Sequence, residues 1–239
     1  YVENDADTVL LYHFDDGTGS VVTDSSSNGL DANLISSATW SGSSSCNPTY
    51  LIVNRCASLD FSDNDGTVRV DSSDLSIGTA EVQRTIEVWF MPEANPSNNG
   101  IILAKGPTGS GSSSTFDYTM QVNTNGTVIW ATGPSSNTCA YLTDGSVNFG
   151  EWNHIAGQID NNTGEKQLYL NGDLIHSCTT TTKNSAQSND FTVGGHGYNT
   201  SSTQNPFKGW IDEIRVSDGL RYSNSFVPSK RHEYDEQTI

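Results

Sequence analysis

Carboxylates are the groups in this chain with the most chemistry to offer. There are 28 Asp and Glu residues, 19 of them Asp. Retaining glycoside hydrolysis needs two carboxyl groups roughly 5–5.5 Å apart across a cleft. On a strand, side chains two positions apart share a face. Glu87 has Trp89 at that spacing, and Asp212 and Glu213 are adjacent, so they are expected on opposite faces. A serine nucleophile would sit in a Gly-x-Ser-x-Gly elbow between a strand and a helix, and none stands in that setting. The five histidines, His13, His154, His176, His196 and His232, are scattered. His13 and His154 fall inside strand patterns and read as structural imidazoles. Gly194-Gly195-His196-Gly197 is not followed by the helix that a phosphate loop requires. No catalytic residues are assigned.

Binding chemistry has more to work with. Short carboxylates in turns suit Ca²⁺, which takes six to eight oxygen ligands. The stretch Asp63-Asn64-Asp65-Gly66 does not meet the EF-hand spacing. Sugars are recognised by aromatic faces together with Asn, Asp or Gln. Trp130, Tyr118, Tyr141, Tyr198 and Trp40 are candidates for such faces, and His196, Tyr198 and Asn199 share a Gly-rich loop. The alternative is that most of these pack inside. The four cysteines, Cys46, Cys56, Cys139 and Cys178, form no CxxC or zinc-finger spacing. They allow three pairings. The local one, Cys46–Cys56 with Cys139–Cys178, is preferred, with free buried thiols as the alternative. Asn125, Asn161 and Asn199 head sequons that matter only in a eukaryotic source.

These residues must be held by strands. The chain has 239 residues, 33% hydrophobic and 16% charged, rich in Ser, Thr, Asn, Asp and Gly. Helix-period stretches are nearly absent, and short apolar or alternating runs recur between turn signals. The clearest are 9–14, 58–61, 67–70, 85–90, 101–104, 118–122, 128–130, 152–159, 167–170, 174–176, 191–193 and 210–216. About a dozen short strands at this spacing imply a β-sandwich. Five Trp, nine Tyr and eight Phe are too many aromatics for disorder. Residues 106–115 and 179–190 read as loops, too short to divide the chain, so 1–239 is taken as one domain. Eleven basic residues against 28 acidic ones give a net charge of −17. That excludes a nucleic-acid partner, which needs a basic footprint, and docking to anionic lipid. No apolar run approaches the roughly 20 residues of a membrane span. The chain starts at Tyr1 without a signal-like segment and reads as a mature or excised piece. Glu3–Val9 and Glu233–Ile239 both fit E-x-D-x-x-T-[VI], so 233–239 is read as the start of a following repeat, with chance as the alternative.

Seven segments in order resemble the laminin-G-like branch of the concanavalin A-like lectin/glucanase jelly rolls of bacterial-type extracellular modular proteins. They are 11–16, 24–29, 58–61, 85–90, 150–157, 168–172 and 209–216. The resemblance implies an all-β, concanavalin A-like jelly-roll β-sandwich of two antiparallel sheets, with Trp89 and Trp152 in the core. It also implies a structural Ca²⁺ beside the first strand, held by Asp15, Asp16, Asn28, Asp31 and Asp212. The alternative is that Asp15, Asp16 and Asn28 bond their own turns. The glucanase signature of two Glu bracketing an Asp at alternate positions is missing. Arg84–Glu87 and Gln158–Asp160 are only faintly like polysaccharide-lyase motifs. The stretch between Trp40 and Cys56 is longer than the family pattern.

The function this implies is a non-catalytic, extracellular, Ca²⁺-stabilised carbohydrate-binding module, monomeric within a larger secreted or surface protein, whose partner is a carbohydrate or cell-surface glycan. The alternatives are a structural or adhesive repeat with a protein partner, and a lyase or hydrolase with an unrecognised site.

Overall fold

A computed structural model describes residues 2–35, 38–41, 58–62, 66–77, 82–106, 116–133, 147–179, 190–199 and 202–229; at 116, 133, 196–199 and 202–204 the description is of the backbone. The chain opens with β1 (Thr8–Tyr12), β2 (Val21–Val22), β3 (Ala32–Ile35), β4 (Thr39–Ser41), β5 (Ser58–Asp60) and β6 (Thr67–Val70), then a single 3₁₀ turn at Ser73–Leu75. Longer strands follow: β7 (Gln83–Pro92), β8 (Gly100–Lys105), β9 (Phe116–Val122), β10 (Val128–Gly133), β11 (Asn153–Asp160), β12 (Glu165–Leu170) and β13 (Asp173–Thr179). The last are β14 (Phe191–Val193), β15 (His196–Asn199), β16 (Ser202–Gln204) and β17 (Gly209–Asp218).

Two antiparallel sheets face each other. One runs β13-β12-β11-β7-β17-β5-β4, with β1 pairing β17 beside β5; the other runs β10-β9-β8-β14-β6-β3-β2. β15 and β16 form a separate small hairpin. The expectation of an all-β sandwich of two antiparallel sheets is met. Alternation on β7 shows how the layers are set. Ile86, Val88 and Phe90 point between the sheets and are fully buried, while Thr85, Glu87 and Trp89 point outward. Asn171 and Gly172 both adopt positive φ (51° and 88°), as the two-residue hairpin turn between β12 and β13 requires. Among the described residues, no helix is long and apolar enough to cross a membrane.

The core corrects three aromatic assignments. Trp130, expected to face a ligand, is 2% exposed between the sheets. It lies over Gly157 of the facing sheet, where a Cβ would come within 2.5 Å of the indole. Tyr118, another expected ligand residue, is fully buried, its ring 5.8 Å from Trp130 and its hydroxyl donating to Leu75 O at 3.0 Å. Trp89, expected in the core, is half-buried on the outer face, where Nε1 donates to Ser229 O at 3.0 Å.

After β17 the chain turns back and lies across that outer face as a strap, residues 219–229. Gly219 N–H donates to Gln83 O, and Thr85 Oγ1 donates to Gly219 O at 2.8 Å. Gln158 accepts from Tyr222 N–H through Oε1 and donates to Tyr222 O through Nε2, both at 2.8 Å. Phe226 N–H then donates to Gly172 O at 2.8 Å. The tight turn of β12–β13 therefore serves the strap as well, because a Cβ at Gly172 would lie 1.9 Å from Phe226 O.

Candidate functional site

Two polar assemblies stand out. The first lies under the strap. Glu87, 2% exposed, receives Arg215 Nε on Oε1 at 2.6 Å and Tyr222 OH on Oε2 at 2.6 Å. His154 Nε2 stands 3.2 Å from Oε2. Burial pushes the Glu87 pKa up, but the His154 hydrogen bond and charge, the Arg215 charge and the Tyr222 hydrogen bond outweigh it and hold it down at about 2. Aromatic rings close the cover. Tyr222 and Phe226 stack 3.5 Å apart, and Tyr169 meets both edge-on. A carboxylate clamped by an arginine and a phenol beneath a strap is placed for anchoring, not for meeting a substrate. Arg84 and Glu87, three apart on β7, sit on opposite faces, so the lyase-like run Arg84–Glu87 does not converge.

The second assembly is open. The register places Lys105, Phe116, Gly133, Asp160, Thr179, Phe191 and Asp218 at one end of the sandwich. The start of β1, the start of β7 and the 3₁₀ turn meet there around a groove of about 600 Å³. Its buried polar residues are Thr8, Ser76 and Arg84, the last 5% exposed. Arg84 Nη2 donates to Ser76 O at 3.2 Å, and Nη1 lies 2.6 Å from Asp218 Oδ1. Nε finds no hydrogen-bond partner among the described residues. Around it stand exposed Asp7, Asp74, Asp218, Ser27 and Asn28. Local bonds fix several of these. Asp218 N–H donates to Asp7 O at 2.8 Å, Asp74 N–H to Ser72 Oγ at 3.2 Å, and Asn28 Nδ2 to Val9 O at 2.9 Å.

Of the residues expected to hold Ca²⁺, most are engaged in turns. Asp16 accepts from Thr23 Oγ1 at 2.5 Å and Thr23 N–H at 3.1 Å, and Asp31 accepts from Asp24 N–H at 2.9 Å. Asn28 lies at the open groove. Asp15 follows β1, half-buried. Asp212 Oδ1 accepts from Glu213 N–H at 2.9 Å in a bulge of β17, where Glu213 (φ 50°) pairs with His13 Nδ1 at 2.8 Å. Among the described residues, no three His, Cys, Asp or Glu side chains come together as a metal site. Asp16, Asp31 and Asp212 each have an oxygen engaged by an N–H or O–H donor. The organiser of this loop is Asp24, which the sequence reading passed over. Its two oxygens accept from Leu11 N–H, Ser26 N–H, Ser26 Oγ and Leu30 N–H at 2.6–3.0 Å.

Other expected sites are placed less fully. The backbone puts His196, Tyr198 and Asn199 on β15; their side chains lie outside the described residues, as do Tyr141, Cys46, Cys56, Cys139 and the 233–239 repeat. Cys178, on β13, is disulfide-bonded. Trp40 donates from Nε1 to Gly19 O at 2.9 Å and packs against the core. Asn161 is buried and donates from Nδ2 to Ile77 O, which takes it out of consideration as a glycan acceptor in the folded chain.

Comparison with known proteins follows the fold. The family model Laminin_G_3, described as the concanavalin A-like lectin/glucanases superfamily, matches residues 62–223. The chain belongs to this superfamily. Among curated proteins none matches the sequence. Domain 4 of AbnA, a GH43 extracellular arabinanase from Geobacillus stearothermophilus, solved with arabinotriose, superposes with TM-score 0.61 at 19% identity, covering 89% of this chain and 93% of that one. Trypanosoma rangeli sialidase in complex with sialic acid gives TM-score 0.60 at 13% identity, over 91% of this chain and 31% of that one. The botulinum neurotoxin serotype D binding domain gives 0.59 at 13% identity, over 89% and 48%. At these identities the likeness to the solved structures is one of fold, and concanavalin A-like sandwiches host many functions.

Proposed function

We propose that this chain is a non-catalytic carbohydrate-binding module of a secreted or cell-surface protein, and that the groove around Arg84 is its sugar site. The observation that carries the reading is the groove itself: an open recess lined by hydroxyls, an amide and carboxylates. Such donors and acceptors match the hydroxyl pattern of a saccharide. The superfamily, and a solved neighbour carrying arabinotriose, support the ligand class. The acidic composition and the disulfide at Cys178 support an oxidising, extracellular setting. Cys139 is the partner we assign to Cys178, with Cys46 and Cys56 paired to each other.

A glycan array probed with the full 239-residue chain, with and without EDTA, tests the reading. Binding to one glycan class is expected. Loss of binding in EDTA would show a Ca²⁺ requirement, with Asp15, Asp16, Asn28, Asp31 and Asp212 the first ligands to substitute. Release of reducing ends or unsaturated sugars from polysaccharides would replace the binding reading with an enzymatic one. One observation favours the alternative of a structural or adhesive repeat: no residue described as lining the groove is aromatic, so the stacking surface common in sugar sites is missing there. Under that reading the array shows no binding.

A further inference from the structure

We propose that Asn28-Gly29 is a site of spontaneous covalent modification, at which the asparagine amide is converted to a carboxylate through a cyclic imide, and that the conversion loosens a latch on the start of β1. The inference stands apart from the carbohydrate-binding reading.

The sequence holds four Asn-Gly pairs, at 28–29, 99–100, 125–126 and 171–172. Asparagine is a thermolabile residue. The backbone nitrogen that follows it can attack its side-chain carbonyl carbon, and glycine hinders that attack least because it has no side chain. The fold separates the four pairs. All four asparagines are exposed, but Gly100, Gly126 and Gly172 are buried while Gly29 is exposed. Gly100 lies in β8, where a Cβ would come within 2.9 Å of Phe207 Cα. Gly126 N–H donates to Asn123 O at 2.9 Å inside the β9–β10 hairpin. Gly172 is pinned by the strap through Phe226 N–H. Around Gly29 nothing lies within 4 Å of a Cβ position, and no hydrogen bond among the described residues engages its N–H. The backbone at 28–29 can therefore turn to bring the nitrogen onto the side chain without opening a strand or a hairpin.

The step balances with water alone. Gly29 N gives its proton to solvent base and bonds to Asn28 Cγ. The Cγ–Nδ2 bond breaks and ammonia leaves, which closes a five-membered imide. Water then adds to one of the two imide carbonyls. Opening at one yields an aspartate, and opening at the other an isoaspartate, whose backbone is one methylene longer. No oxidant or reductant enters.

The amide that is lost has a task. Asn28 Nδ2 donates to Val9 O at 2.9 Å and reaches Thr8 O at 3.4 Å, tying its loop to the start of β1. A carboxylate has no donor, and it would set a negative charge beside those two carbonyl oxygens. Ser26 Oγ also donates to Val9 O, at 3.1 Å, so the latch is weakened and not abolished. The product adds a further negative charge at the end groove, where Asp7, Asp74 and Asp218 already stand.

Peptide mapping by mass spectrometry tests this on the full chain, kept for weeks in warm, mildly alkaline buffer. Conversion at residue 28 is expected to run severalfold faster than at 99, 125 or 171. In urea the four should convert at similar rates. Asn28→Gln, whose longer side chain would have to close a six-membered ring, should acquire negative charge on ion exchange much more slowly than the parent chain. Asn28→Asp, which carries the product side chain, should melt a few degrees lower and exchange its β1 amides faster. Conversion at 99, 125 or 171 as fast as at 28, or charge gained by Asn28→Gln at the parent's rate, would overturn the site. The same preference for residue 28 in urea would show that local sequence, and not the fold, selects it. An Asn28→Asp variant with unchanged melting and unchanged β1 exchange would overturn the latch.

Discussion

Two buried carboxylates, Glu87 and Asp117, should give the protein a stability optimum in mildly acidic solution. Glu87 is held ionised, its pKa down at about 2 against an ordinary 4.5. Its contribution is fully present above pH 4.5 and is lost as pH falls toward 2. Asp117 is the reverse case. It accepts from Ser76 Oγ at 2.5 Å and Ile77 N–H at 3.0 Å, yet burial outweighs these bonds and the nearby Lys105 and Arg84 charges, raising its pKa to about 6 from 3.8. Its contribution is complete below pH 3.8 and is lost as pH rises through 6. Each shift corresponds to stabilisation on the order of 3 kcal/mol at full extent. Urea denaturation from pH 2.5 to 8 should therefore show stability rising from pH 7 to about 5 and falling below about 4.5. Glu87→Gln should flatten the acid limb and cost about 3–5 kcal/mol at pH 7, because Arg215 loses its buried counter-charge. Asp117→Asn should flatten the limb between pH 7 and 5. An acid limb unchanged in Glu87→Gln would show that Glu87 is not clamped as described.

Strands were legible in the sequence because turn residues and two-residue alternation recur so regularly; β7, β9, β11 and β17 fall where the pattern put them. Alternation does not say which of two faces is the core, and Trp130 shows the consequence. The signal that could have settled it was Gly157, since a glycine inside a strand marks a close approach, here by the indole itself. Asp212 and Glu213 defeated spacing differently: a bulge and a positive φ at Glu213 break the register of β17. The strap was not legible at all, because 219–229 has no periodicity. It is nevertheless the element that completes the first sheet. Phe226→Ala removes a half-buried ring stacked on Tyr222 and should cost about 1–3 kcal/mol. Tyr222→Phe removes one hydrogen bond to Glu87 and should cost about 1–2 kcal/mol. Hydrogen exchange would place the effect. Faster exchange across β7, β11 and β12, with β8 and β9 of the other sheet unchanged, is expected of a local cover. Uniform acceleration over both sheets would mean that the strap holds the whole fold and not one face.

At the scale of the whole molecule, the groove follows from the topology and the net charge from a scarcity of Lys and Arg. Segments around Asp7, Ser27, Asp74, Arg84 and Asp218 meet at one end of the sandwich although they span most of the chain, and no local spacing could announce that. The charge, by contrast, was plain from the start, and it makes a prediction about the folded molecule. With 28 acidic and 11 basic side chains, like-charge repulsion opposes compaction. The described ion pairs are few, and the Arg215–Glu87 pair is buried where salt screens least. The exposed part of the balance is thus dominated by repulsion, which salt relieves. The melting temperature should rise between 10 and 500 mM NaCl, and to the same extent with EDTA present. A saturable further rise at micromolar Ca²⁺, on top of the NaCl effect, would mark a specific cation site, and its loss on substituting Asp16 or Asp31 would place it beside the first strand. A melting temperature that falls with NaCl would mean that attractive pairs, and not the acidic excess, govern the surface.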